Sequence, residues 1–151
     1  MMRFLSSATF AAFALLAGVV LPLQAAINVR SRELLGNPLR ASLGSFAVGT
    51  ALVFVATLAT REPWPSLATL ARAPGWLWTG GVLGAFYVVA TIVVVPRLGS
   101  AYAFALVVAG QMATSVLIDR LGLFGVTQTP LSFTRVIGAA LLVGGVLLVR
   151  K

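Results

Sequence analysis

Residues 101–120 read AYAFALVVAGQMATSVLIDR and place Gln111, Ser115 and Asp119 at successive steps of four. At about 100° per residue these three side chains fall within one quarter of a helix circumference. The run from Ala101 to Ile118 carries no charge and is long enough to cross roughly 30 Å of hydrocarbon. Lipid penalises an amide, a hydroxyl and a carboxylate on such a helix, so this face must turn toward protein or a water-filled cavity. Gln24 and Asn28 repeat the spacing of four in the first apolar segment, and Tyr87 adds a phenol in the third. These are neutral hydrogen-bonding groups. They can orient a ligand or hold helices together, and both readings stay open.

Harder chemistry has few residues to work with. The 151 residues contain no Cys and no His, so thiolate metal sites, disulfides and the commonest general base are absent. Only Glu33, Glu62 and Asp119 can titrate as acids, and only Asp119 adjoins an apolar segment. With no pair of intramembrane carboxylates and no Gly-rich phosphate loop, an enzyme is not expected, nor is a metal or another cofactor. Asp119 and Arg135 should lie on the same side of the membrane. They are therefore expected to form a structural ion pair, with proton coupling or substrate contact as the rival role for Asp119.

The composition says what must position these groups. Apolar residues make up 60% of the chain and charged residues 9%, with a mean hydropathy of +1.04. That is an all-α membrane protein, read as a single transmembrane domain over residues 1–151. Helices are expected at about 4–28, 39–60, 76–95, 100–119 and 131–149. The formal charge of +8 does not point to nucleic acid, because the arginines interrupt apolar runs and suit lipid headgroups.

The first segment, from Phe4 to about Ile27, exceeds the 7 to 15 apolar residues of a signal core and reads as a retained helix, kinked near Pro22. Arg30 to Arg40 reads as a short polar connection with a turn at Gly36-Asn37-Pro38. Ala41, Ser45 and Gly49 form one row of small residues, Gly80 and Gly84 a GxxxG, and Ala101, Ala105, Ala109 and Ala113 another row. All three suit close helix packing. Trp64, Trp76 and Trp78 sit near segment ends, where indoles anchor at the interface. Pro96-Arg97-Leu98-Gly99 is expected to end the third helix.

Five helices put the termini on opposite sides. Arg3, Arg61, Arg72, Arg120 and Arg135 then face one side, and Arg30, Arg32, Arg40, Arg97, Arg150 and Lys151 the other. Such a balance gives the positive-inside rule nothing to act on, so insertion in both orientations and an antiparallel homodimer are expected. A closely related paralogue is the alternative partner. A faint repeat agrees: Gln24 to Gly36 and Pro38-Leu39 are echoed by Gln111 to Gly122 and Pro130-Leu131.

Gln24 to Gly49 (QAAINVRSRELLGNPLRASLGSFAVG), Trp76 to Ala101 and Gly110 to Gly125 together resemble the YdcZ-like bacterial inner-membrane exporters of the drug/metabolite transporter superfamily. The resemblance runs from about Ala14 to Gly145. It implies a five-helix transporter subunit of the inner membrane working as a dimer. Relatives in that superfamily include four-helix exporters built as antiparallel dimers and ten-helix transporters built from inverted halves. The four-helix exporters are driven through a Glu in the first helix, where this chain has Gln24 and Asn28 instead.

The expected function is a secondary transporter subunit that moves a small organic molecule by alternating access. Gln24, Asn28, Tyr87, Gln111 and Ser115 are the expected substrate contacts. Gly49, Gly80, Gly84, Ala105 and Ala109 serve packing. A passive channel, a lipid flippase and a structural membrane subunit are the alternatives.

Overall fold

The computed structural model describes residues 7–149. Among them every regular element is a helix: α1 (Ser7–Leu35), α2 (Pro38–Thr60), the short α3 (Leu67–Ala71), α4 (Thr79–Leu98), α5 (Ser100–Leu121) and α6 (Phe133–Val149). A 3₁₀ turn, Gly75–Trp78, leads into α4. The described residues form two compact units that divide between Pro96 and Arg97. Arg3, Arg150 and Lys151 lie outside the described residues.

Large apolar side chains cover the outside. Phe13, Phe86 and Leu148 are each more than 70% exposed, whereas only a handful of residues, such as Ala25, Ala41, Val88, Ile92, Ala103 and Val146, are buried. Water would not tolerate that surface, but lipid would, since apolar side chains lose nothing there. Four helical stretches, Ser7–Leu35, Pro38–Thr60, Gly75–Leu98 and Ser100–Leu121, are long and apolar enough to cross a bilayer. The 17 residues of α6 would rise only about 26 Å, so its described part falls short of the hydrocarbon thickness.

In the first unit α1 and α2 form a hairpin whose turn is shorter than the sequence suggested. The stretch expected to be a connection from Arg30 is helical as far as Leu35, because it holds good helix formers and an Arg30–Glu33 ion pair one turn apart. Gly36, with φ of 71°, then stops α1 while its N–H donates to the Arg32 carbonyl at 2.8 Å. Asn37 caps α2 by accepting from the Leu39 N–H at 2.7 Å, and Pro38 occupies the first turn. The helix is continuous through Pro22.

α4 packs against α2 with opposite direction. Ala41 near the start of α2 meets Val88 and Ile92, and the ring of Phe46 further along lies 4.0 Å from where a methyl on Gly84 would sit. Hence α1 and α4 run the same way. Pro96-Arg97-Leu98-Gly99 ends this helix as expected, with the last turn carried past residue 95 to Leu98 before Gly99, at φ of 80°.

The second unit holds α5 and α6. Ala103 and Val146 are buried at one end, and Asp119 meets Arg135 at the other, so the two helices are antiparallel. Gly122, with φ of 63°, caps α5. The connection then folds back: the Thr129 N–H donates to the Asp119 carbonyl at 2.8 Å, and Gln128 Nε2 donates to the Arg120 carbonyl at 2.8 Å.

Two glycines of this unit should respond oppositely to alanine. Gly122→Ala, with positive φ and Gln128 Cβ 3.4 Å from the added methyl, is expected to cost about 1–2 kcal/mol. Gly110→Ala, inside α5 with nothing within 4 Å, should be neutral or stabilising by up to about 1 kcal/mol. Reversible unfolding in mixed SDS micelles measures both, and a loss at Gly110 instead would mean that another surface covers it.

Candidate functional site

Helical periodicity directs the polar groups of the first unit. Ala25, Asn28 and Arg32 lie on one side of α1, where the first two are buried and the third is half-buried. On α4 the matching side is Tyr87, Val88, Thr91 and Ile92, and on α2 it is Ala41, Ser42 and Ser45. The hydroxyls there satisfy themselves locally. Ser42 Oγ donates to the Pro38 carbonyl at 2.9 Å and Thr91 Oγ1 to the Val88 carbonyl at 2.9 Å.

Asn28 Nδ2 and Tyr87 Oη do not. Both atoms are buried and neither has a hydrogen-bond partner among the described residues. An amide donor left unpaired in a dry interior costs on the order of 1–3 kcal/mol, so these two atoms call for a partner that the described residues do not supply.

Gln24, one turn before Asn28, behaves differently because it is exposed. It lines a groove of about 620 Å³ together with Ser45, Phe46, Gly49, Thr50 and Trp64, among others. Trp64, expected only as an interface anchor, also packs against Phe54, with ring centroids 6.3 Å apart and planes tilted by 39°. The groove carries hydroxyls, an amide and aromatic faces but no charge. It can hold a neutral molecule that offers both a flat apolar part and hydrogen-bonding groups.

The second unit has a smaller recess of about 350 Å³ between α5 and α6, lined by Met112, Ser115, Val116, Asp119, Arg135 and Gly138 among others. Ser115 and Asp119 therefore share a face as their spacing predicted, while Gln111 lies outside this recess and is exposed. Arg135 Nη1 donates to Asp119 Oδ2 at 3.1 Å, with side chains 41% and 33% exposed. Ser132 supports the arginine by accepting its backbone N–H at 3.3 Å.

The packing residues are spread unevenly. Gly84 meets Phe46, but an added methyl at Gly49 or Gly80 would touch nothing, and Ala105 and Ala109 are half-buried. On the side a methyl would occupy, Gly49 and Gly80 thus have no close neighbour among the described residues. Glu33 pairs with a neighbouring arginine, Arg30, as expected, whereas two arginines expected to meet headgroups bond to backbone carbonyls: Arg40 to Leu35 at 3.2 Å and Arg32 to Ile92 at 3.3 Å. Arg32 was not among the expected site residues. The signal for it was Pro96, which leaves the carbonyl four residues earlier without a helical donor.

Among the described residues there is no group of three or more metal-ligating side chains. Among these residues the chemistry on offer is hydrogen bonding, aromatic contact and two ion pairs, Arg30–Glu33 and Asp119–Arg135.

Residues 9–148 match the family described as "Putative inner membrane exporter, YdcZ". The chain is similar to the Inner membrane protein YdcZ of Escherichia coli (strain K12), 33% identical over 142 residues that cover 93% of each chain. No solved structure matches.

Being so exposed, the Asp119–Arg135 pair should add little stability. A double-mutant cycle with Asp119→Asn and Arg135→Gln is expected to return a coupling of less than about 1 kcal/mol that shrinks as salt rises. A larger coupling insensitive to salt would mean the pair is sealed from water in the assembled protein.

Proposed function

Because the chain belongs to the YdcZ family of inner membrane exporters, we propose that it is a secondary transporter subunit acting as an antiparallel homodimer on a small, neutral, amphipathic organic molecule. It is a multi-pass inner membrane protein, and the family is one of exporters and not of enzymes. The observation that carries the reading is the pair of buried, unpartnered atoms, Asn28 Nδ2 and Tyr87 Oη. A donor and a phenol held ready at membrane depth suit a ligand that arrives, bonds and leaves.

The exposed amides support the dimer. Gln24 and Gln111 sit exposed on membrane-length helices, and lipid cannot satisfy them. A second copy of the chain covers them in this reading, and Ser115 joins them as a substrate contact. The absence of a carboxylate beside Gln24 favours a neutral cargo over a strongly cationic one. Asp119, paired with Arg135, is structural in this reading.

Orientation gives the first test. The two-fold axis of an antiparallel dimer lies in the membrane plane, so only residues at mid-depth can meet their own copies. Gln111 is at the middle of α5 and Leu121 at its end. In this cysteine-free chain, Gln111→Cys should form disulfide-linked dimers and Leu121→Cys should not; linkage through Leu121→Cys would mean parallel copies.

Flux gives the second. Inverted membrane vesicles containing the protein are expected to take up tritiated chloramphenicol, a neutral aromatic amide, with saturation and with acceleration by unlabelled compound on the far side. Asn28→Ala and Tyr87→Phe should each lower the rate about tenfold at unchanged protein level. Flux that never saturates would instead indicate a channel.

A further inference from the structure

Pro96 lies inside α4, where it has no N–H to give to the carbonyl of Ile92 one turn earlier. Ile92 is fully buried at 0% exposure, so water does not reach that residue's surroundings. An unpaired carbonyl there would be costly, and more so in a membrane. Arg32 Nη1, from the last turns of α1, donates to it at 3.3 Å. The neighbouring arginines are engaged elsewhere, Arg30 with Glu33 and Arg40 with the Leu35 carbonyl.

The bond also sets a level. Because α1 and α4 run in the same direction, one turn back from Arg32 and Ile92 lie Asn28 and Val88, with Tyr87 next to Val88 in the chain. Asn28 and Tyr87 carry the two unpartnered buried atoms of the unit. A guanidinium suits this duty. It stays charged at any working pH, and it keeps further N–H groups for headgroups or water while one serves the carbonyl. α1 is 29 residues long, about 44 Å, so its last turns reach the interface where such a side chain is tolerated.

We infer that Arg32 is a positioning residue: it supplies to the Ile92 carbonyl the donor that Pro96 cannot, and so fixes the level of Asn28 on α1 against Tyr87 on α4. The functional weight of that level rests on the transporter reading above, in which Asn28 and Tyr87 contact the cargo. The bond itself does not.

The test uses the full chain in nanodiscs and compares Arg32→Gln, Pro96→Ala and the double variant. With Pro96 present, Arg32→Gln should lower the folding constant about tenfold. In the Pro96→Ala background, where the backbone regains the missing N–H, the same change should cost less than about threefold. Equal losses in both backgrounds would overturn the claim that Arg32 replaces the missing donor.

Position is read separately. Spin labels on Leu34→Cys and Phe86→Cys, both on exposed surfaces, report the level of α1 against α4 in dimers diluted with unlabelled chain. Arg32→Gln should broaden or shift that distance, and Pro96→Ala should not restore it, because a satisfied carbonyl is not a tie between helices. An unchanged distance in Arg32→Gln would overturn the positioning role. These readouts do not involve transport, so their failure is distinguishable from failure of the vesicle assay.

Discussion

Hydrocarbon neither donates nor accepts a hydrogen bond, and the whole structure follows from that one property of the solvent. Every backbone group along a span must find its partner within its own helix, which is why every regular element among the described residues is a helix. Where the helical ladder is interrupted, a substitute has to be found. Pro96 interrupts it and Arg32 stands in. Gly36 and Asn37 do the same for the α1–α2 turn, and Gln128 and Thr129 for the end of α5.

The same constraint sorts the side chains. Hydroxyls can turn back onto their own helix, as Ser42, Thr57 and Thr91 do, and so give no sign of function. Amides and phenols are less able to hide. Asn28 and Tyr87 therefore remain with unpaired buried atoms, and Gln24 remains on a groove wall. Polar groups are costly in a span, and that cost is the physical basis of the proposal that this family member is a transporter subunit.

The departure from the charged logic of other small exporters has a consequence. A neutral pair in the first helix cannot bind and release a proton across the working pH range, whereas it can exchange hydrogen bonds with a neutral cargo. The two carboxylates at the ends of spans are already engaged, Glu33 by Arg30 in the last turns of α1 and Asp119 by Arg135 at the end of the α5–α6 hairpin.

Membrane class and the approximate spans were legible in the residues themselves, because hydropathy over some 20 positions is a sum that needs no knowledge of neighbours. The pairing of Asp119 with Arg135 was also legible, since a short connection leaves the ends of α5 and α6 little choice. The contrast between Gln24 and Asn28 was not. Spacing of four puts both on one face, yet Asn28 is buried and Gln24 lies in an open groove, because burial depends on which neighbouring helix reaches each turn. Arg32 shows the point most plainly. Its partner lies 60 residues away on another helix, and only packing of α1 beside α4 could turn a loop arginine into the donor for a carbonyl that a proline had left bare.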